Sequence, residues 1–241
     1  MAEPGRVAAT DGVRMMFLIR RRAGSTREEL IAHWFANHMP AVIAAMQGTA
    51  RYYMATLYDP DASGAHPWDG VAQILVDEAM PTPSEPFGTR PTDSFQEHAE
   101  PYLPWATTEY VVMDGSDRLP VRPLTLNDPF PTTRSGFFKI SFLVKAKPGT
   151  DHGAFFDHWL DVHVPNVAAT MDEVGGFRYV VSHSLDPEHE PYAGMAELYF
   201  DDEDGWRRYK GAIRPDGMEQ WAADEGTLVL RARTEMIGIA G

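Results

Sequence analysis

Two stretches of this chain match one another without a gap: FLIRRRAGSTREELIAHWFANHMPAV from Phe17 and FLVKAKPGTDHGAFFDHWLDVHVPNV from Phe142. The register places Gly24 with Gly149, Leu30 with Phe155, His33 with His158, Trp34 with Trp159, His38 with His163 and Pro40 with Pro165. Two histidines, a tryptophan, a proline and a glycine in one register point to internal duplication, which is looked for before any local element is assigned. Looser matches continue the repeat. RYYMATLYDP from Arg51 pairs with RYVVSHSLDP from Arg178, WDGVAQILVDE from Trp68 with YAGMAELYFDD from Tyr192, and TEYVV from Thr108 with TEMIG from Thr234. The expected domains are residues 1–115 and 135–241. Residues 116–134, rich in Pro, Asp, Ser and Thr, read as a linker.

Each copy opens with a strand of period two. Phe138, Ile140, Phe142 and Val144 alternate with Phe137, Lys139, Ser141 and Leu143, and Met15, Phe17 and Ile19 alternate with Arg14, Met16 and Leu18. A glycine turn follows, then N-cap candidates at Ser25 or Thr26 and at Asp151. Leu30, Trp34, His38 and Val42 share one helical stripe, as do Phe155, Trp159, His163 and Val167. Pro40 and Pro165 each cost the helix a hydrogen bond and kink or end it nearby. Strands at 51–58 and 71–76, and at 177–185 and 195–200, come next. A second helix is placed at 204–212 and around 93–102, and a last strand at 109–113 and 233–237. The predicted class is α+β, with two ferredoxin-like β-α-β-β-α-β repeats. Each repeat covers one sheet face with helices, and two copies can cover each other's second face by closing into an intramolecular barrel.

The run from the first strand through His-Trp-x-x-x-His-x-Pro resembles the EthD family, a branch of the dimeric α/β-barrel superfamily. The second copy also carries RPDGMEQWAADEGTL at 214–228. The first departs there, with the Pro-rich MPTPSEPFGTRPTDSFQEHAEPYLP from Met80. The resemblance implies a fused form of a barrel that other members build as homodimers. It also implies cofactor-independent chemistry of the dehydratase, decarboxylase or cyclase type on polyketide or aromatic metabolites.

In such a barrel the sheet face away from the helices would line a cavity. Alternation puts Arg14 and Lys139 there to hold an anionic substrate, with Glu197 among the lining residues. The alternative is that these charges form structural ion pairs. His38 and His163 are the candidate catalytic groups, because imidazole exchanges protons near neutral pH; the alternative is a core histidine that satisfies a backbone group near the proline-disrupted helix end. The other expected substrate contacts are Trp34, Trp159, Tyr52, Tyr179 and His183, with core packing the alternative for the tryptophans and tyrosines. Tyr52 and Tyr179 read as matched strand tyrosines, and His183 stands where the first copy has Thr56. His33 and His158 lie off the stripe, five residues from the second histidine, which is not a chelating spacing. Neither a metal nor a cofactor is expected. Haem through an axial histidine is a lesser reading.

Composition narrows the partners. The net charge of −14 argues against nucleic acid and anionic membrane surfaces. The chain has no cysteine, hence no thiolate chemistry. No signal-like apolar run opens it, and no stretch reaches the roughly 20 apolar residues of a membrane span, so a soluble cytoplasmic protein is expected. The reading is a lyase or isomerase acting on a small or aromatic, oxygenated, anionic metabolite, with homodimerisation of the fused barrel open. The rival is a non-catalytic carrier of a hydrophobic metabolite.

Overall fold

The computed structural model describes residues 6–60, 67–119 and 135–239. Most of the expected linker, from 120 to 134, lies outside the described residues.

Two compact units cut across the order of the chain. The N-terminal unit holds Gly12–Ala106 together with the segment from Ala232 onward. The C-terminal unit holds Thr107–Leu119 and Gly136–Arg231 together with residues 6–11. The N-terminal sheet has the order β1 (Val13–Ile19), β3 (Gly70–Val76), β2 (Tyr52–Tyr58), β8 (Leu228–Ile239), with each described pairing antiparallel. The C-terminal sheet repeats this pattern with β5 (Phe138–Val144), β7 (Gly194–Phe200), β6 (Gly176–Ser184) and β4 (Trp105–Met113). The registers correspond as well: Phe17 lies opposite Ala72 as Phe142 lies opposite Ala196. Glu235 lies opposite Thr56 as Glu109 lies opposite Ser182. The last strands are longer than the expected five residues, nine in β4 and twelve in β8.

One register differs from the sequence alignment. Tyr179 lies opposite Leu198, and the residue opposite the matching Ile74 is Tyr53, not Tyr52. A shift of one residue moves a side chain to the other sheet face. Tyr53 is therefore the counterpart of Tyr179, and Leu57 rather than Thr56 is the counterpart of His183.

The helix layer follows from local signals. Thr26 caps α1 (Arg27–His33) through a reciprocal box with Glu29: Thr26 Oγ1 accepts from Glu29 N at 3.1 Å and Thr26 N donates to Glu29 Oε2 at 2.8 Å. Asp151 caps α4 (His152–His158) by accepting from Ala154 N at 3.1 Å. Beyond each helix the chain continues through one wide turn into α2 (Met39–Met46) or α5 (Val164–Val174). A short helix, α3 (Ser94–His98), and a longer one, α6 (Glu203–Ala212), complete the layer. No helix among the described residues is long and apolar enough to cross a membrane.

Each unit has its own core between helices and sheet. Leu30, Trp34 and Met39 pack on Phe17, Tyr53 and Ile74 in one, and Phe155, Trp159 and Val167 pack on Ile140, Tyr179 and Leu198 in the other. Matched glycines seat the tryptophans. A Cβ on Gly70 would stand 2.9 Å from the Trp34 ring and one on Gly194 3.2 Å from the Trp159 ring, with backbone oxygens nearer still. Only glycine lets the indole lie this close to the strand.

Candidate active site

The repeated motif builds the site by distorting its helix. Trp34–His38 and Trp159–His163 are single π turns. Met39 N–H donates to Trp34 O, and Val164 N–H donates to Trp159 O, each five residues back. Pro40 and Pro165 account for the turn. Each lacks the N–H an α-helix needs, and its ring crowds the carbonyl four residues earlier. A wide turn relieves that crowding without ending the helix, and such turns recur at functional sites. In each unit the tryptophan opens the π turn and the second histidine closes it.

That histidine is held by an aspartate. His38 Nδ1 lies 2.6 Å from Asp93 Oδ2, and His163 Nδ1 lies 2.8 Å from Asp216 Oδ2. Asp93 uses its other oxygen to cap α3, accepting from Gln96 N at 2.9 Å. Asp216 accepts from Met218 N at 3.1 Å, and its Oδ2 also accepts from Asn166 Nδ2 at 2.7 Å. A carboxylate at Nδ1 assigns the ring proton to that nitrogen and leaves Nε2 basic.

Each imidazole lines a cavity between helices and sheet. The N-terminal cavity, about 560 Å³, is walled by Trp34, His38, Tyr53, Phe87, Phe95 and Tyr102. The C-terminal cavity, about 450 Å³, is walled by Phe142, Trp159, His163, Tyr179, Trp206 and Tyr209. Both volumes suit a small ligand. Arg90 and Glu85 reach the first and Lys210 reaches the second.

The electrostatics favour a neutral His163 and protonated phenols. Burial lowers the pKa of His163, against the charge of Asp216 and its hydrogen bond. Burial acts to raise Asp216, but the Asn166 hydrogen bond, His163 and the Met218 N–H outweigh it, so the carboxyl sits below its usual range. Burial raises Tyr102 to about 12 and lifts Tyr53, Tyr179 and Tyr209 well above the ordinary phenol value. These hydroxyls are donors at neutral pH.

The cavities lie on the helix-facing side of each sheet, not on the side away from the helices that alternation nominated. Arg14, Lys139 and Glu197 are fully buried on that other side and line neither cavity. Lys139 Nζ is 2.6 Å from Glu197 Oε1 and 4.8 Å from the centre of the Tyr199 ring, an arrangement that suits the structural ion pair. Tyr52 sits one strand position from Tyr53 and so faces the same side as Arg14.

Tyr179 lines the C-terminal cavity, whereas His183 lies beside Trp159, beyond the cavity wall. The His183 ring stacks on Phe156 at 4.1 Å and meets Trp159 at 4.9 Å and Tyr110 at 5.2 Å. Its pKa falls to about 3, chiefly through burial and also through the charge of Arg6. His33 bonds Ser94 Oγ at 3.0 Å and stacks on His98 at 4.4 Å, a packed role. His158 Nε2 is buried beside Trp221 without a hydrogen-bond partner among the described residues.

The sequence reading passed over Asp93 and Asp216. Their signal was a shared Arg-Pro lead-in, Arg90-Pro-Thr-Asp93 and Arg214-Pro-Asp216. It was hidden because residues 204–212 were aligned with the region around 93–102. The β-bridges from Arg21 to Ala99 and from Ala146 to Ala222 show the true correspondence. By that correspondence α3 matches the short turn at Met218–Gln220, and α6 has no counterpart among the described residues of the N-terminal unit. Among the described residues no group of three or more His, Asp or Glu side chains is placed to hold a metal ion.

Comparison with known proteins agrees on the fold. Residues 147–231 match the EthD domain, a span that carries Trp159, His163, Tyr179 and Asp216. No curated protein sequence matches the chain significantly. Among solved structures, an anthrone oxidase-like protein superimposes with a TM-score of 0.57 at 12% identity, covering 95% of this chain and 94% of its own. A variant of the chlorite dismutase from Candidatus Nitrospira defluvii gives 0.50 at 9% identity, covering 93% and 92%. The α+β architecture is thus similar to that of the dimeric α/β-barrel proteins.

Proposed function

We propose that this chain is a cofactor-independent enzyme that moves protons on a small, largely aromatic, oxygenated metabolite held beneath the helices, as a lyase or isomerase does. The supporting observation is the recurrence of one arrangement: an imidazole lining an apolar cavity, with Nδ1 fastened to a carboxylate at 2.6 or 2.8 Å. The aspartate holds the tautomer and stabilises the imidazolium, while Nε2 takes the proton. A dry cavity strengthens every charge that develops inside it. The C-terminal site is the stronger candidate, because its aspartate is fastened from three sides. The two units are read here as copies of one fused repeat that together form the barrel. The charges of Arg14 and Lys139 are not retained as substrate anchors, since they line neither cavity. That removes the reason for requiring an anionic substrate.

The test is solvent-deuterium incorporation into a panel of aryl ketones and β-keto acids. The expected result is exchange that His163→Gln weakens and the His38→Gln, His163→Gln double variant abolishes, in proteins of unchanged melting temperature. Exchange that persists in the His38→Gln, His163→Gln double variant sinks the reading and leaves the carrier alternative.

A second reading draws on the same dyad. An imidazole with a carboxylate behind it, facing an aromatic cavity, is a donor set that could hold haem iron. His38 or His163 would then hold haem, which supplies redox chemistry when bound. A Soret band that forms on adding haemin and vanishes in His163→Gln or His38→Gln would favour it.

A further inference from the structure

The C-terminal cavity has donors with nothing to donate to. Tyr179 Oη, Trp159 Nε1 and Trp206 Nε1 are buried without a hydrogen-bond partner among the described residues. Their residues are 0%, 0% and 6% exposed, and all three line this one cavity. The Trp159 indole lowers the Tyr179 pKa against burial through a hydrogen-bonding approach too loose to satisfy either donor. A buried donor left unmade is costly and calls for an explanation. Among the described residues that line the N-terminal cavity, no polar side-chain atom is both fully buried and unpartnered, although Tyr53 approaches Trp34 as Tyr179 approaches Trp159. Full burial of unmet donors thus sets the C-terminal cavity apart.

Tyr179 and Trp159 also stand where the proposed chemistry needs them. Both share the wall with His163, and the charge of Asp216 is felt at both Tyr179 and Tyr209. Around them the walls are flat: Trp206 meets Phe142 edge-on at 6.0 Å and stacks on Tyr209 at 5.5 Å.

Resting on the proton-transfer reading, we infer that the C-terminal cavity takes an aryl ketone, whose carbonyl oxygen accepts hydrogen bonds from Tyr179 and Trp159 while His163 enolises the adjacent carbon. In that step His163 Nε2 takes a proton from the carbon next to the carbonyl. The electron pair of the broken C–H bond forms the C=C bond, and the carbonyl π pair moves to oxygen. The resulting enolate is held by the two donors, and the proton returns from His163 to carbon. No oxidant or reductant takes part. Donors aimed at the oxygen stabilise the enolate more than the ketone, which is the condition for catalysis.

The probes are 2-acetylnaphthalene and 2-isopropenylnaphthalene, in which a CH₂ group replaces the carbonyl oxygen. Calorimetric titration should show the wild-type protein preferring the ketone by about tenfold. Tyr179→Phe should erase most of that preference while keeping the affinity for the hydrocarbon, which also certifies an intact fold and cavity. Equal affinities in the wild type, a preference that survives Tyr179→Phe, or one lost in Tyr53→Phe while Tyr179→Phe keeps it, each overturns the assignment. Deuterium exchange at the methyl group of the ketone, lost in the His38→Gln, His163→Gln double variant with the binding preference intact, separates the two layers. Persistent exchange there overturns the proton-transfer reading, whereas the binding data judge the donors.

Discussion

The two cavities share a histidine–aspartate pair and differ in a wall. Both place a π-turn histidine against an aspartate, beside a tyrosine on β2 or β6 and a tryptophan seated on glycine. Opposite that shared half, the C-terminal cavity is closed by α6, which brings Trp206, Tyr209 and Lys210. The N-terminal cavity has no such helix. The Pro-rich stretch supplies Met80, Glu85, Phe87 and Arg90 instead, and the volume rises from about 450 to about 560 Å³. The half with the histidine–aspartate pair, proposed to handle protons, is fixed by hydrogen bonds. The half proposed to meet the rest of a ligand comes from connecting segments of different length and structure. A difference in ligand between the cavities, with the same elementary step in each, is what this division teaches us to look for.

The largest effect should come from breaking the shared half. Loss of a general base removes about 10²–10⁴-fold in rate, so His163→Gln and His38→Gln should each silence exchange in their own cavity. Single-turnover measurements with ligands selective for each cavity would read this. If His163→Gln silences both cavities equally, the two sites are not independent. Asp216→Asn keeps the shape but accepts at one atom only, so Nδ1–H is held less firmly and the imidazolium loses its partner charge. We expect a smaller drop there, on the order of tenfold to a hundredfold, in turnover rather than in ligand affinity.

A second contrast lies behind the C-terminal wall. His183 occupies the place of Leu57 and is sandwiched between Phe156 and Trp159. Its folded pKa is about 3 against an ordinary 6.5, so between these values the unfolded chain binds a proton that the folded chain refuses. Its contribution is whole above pH 6.5 and is lost as pH falls toward 3. His183→Leu makes the second unit resemble the first at this point. Urea unfolding at several pH values should show a shallower acid loss in the variant, by up to about 1.4 kcal/mol per pH unit. An unchanged pH slope would show that the ring is not neutral and buried.

The strand periods, the caps at Thr26 and Asp151, and the Trp-His stripe were legible because each is written within a few residues. The aspartates were not, because each bonds a histidine 55 or 53 positions away across loops of different length. The two cavities described lie on the other side of the sheet from the one that alternation nominates, and there is a physical reason for the difference. Arg14 and Lys139 looked out of place in apolar strands and so drew attention as a site, yet a buried lysine with a carboxylate at 2.6 Å is satisfied. Tyr52 was misassigned because Arg51-Tyr52 resembles Arg178-Tyr179, while hydrogen-bond register, which sequence similarity does not read, pairs Tyr179 with Tyr53.

The smallest effect should isolate what fastens one dyad more tightly than the other. Asn166 donates to Asp216 at 2.7 Å and to Arg214 O at 2.8 Å, tying the Arg-Pro-Asp loop to α5. The corresponding position of the N-terminal unit is Ala41. Asn166→Ala therefore builds the first arrangement into the second site. One hydrogen bond to a charged group is worth about 1.5–3 kcal/mol when buried and less where water can replace it, and Asp216 is partly exposed. A loss of about 1 kcal/mol is expected, together with a rise in the Asp216 pKa, since the leading hydrogen bond that lowers it is gone. Carbon-detected NMR titration of the Asp216 carboxyl would follow the change. Against it, His163 should keep its Nδ1 bond. If Asn166→Ala instead abolishes turnover as fully as His163→Gln, the aspartate is positioned by Asn166 rather than by the loop itself, and the N-terminal dyad, which has no such residue, would have to be held by the α3 cap alone.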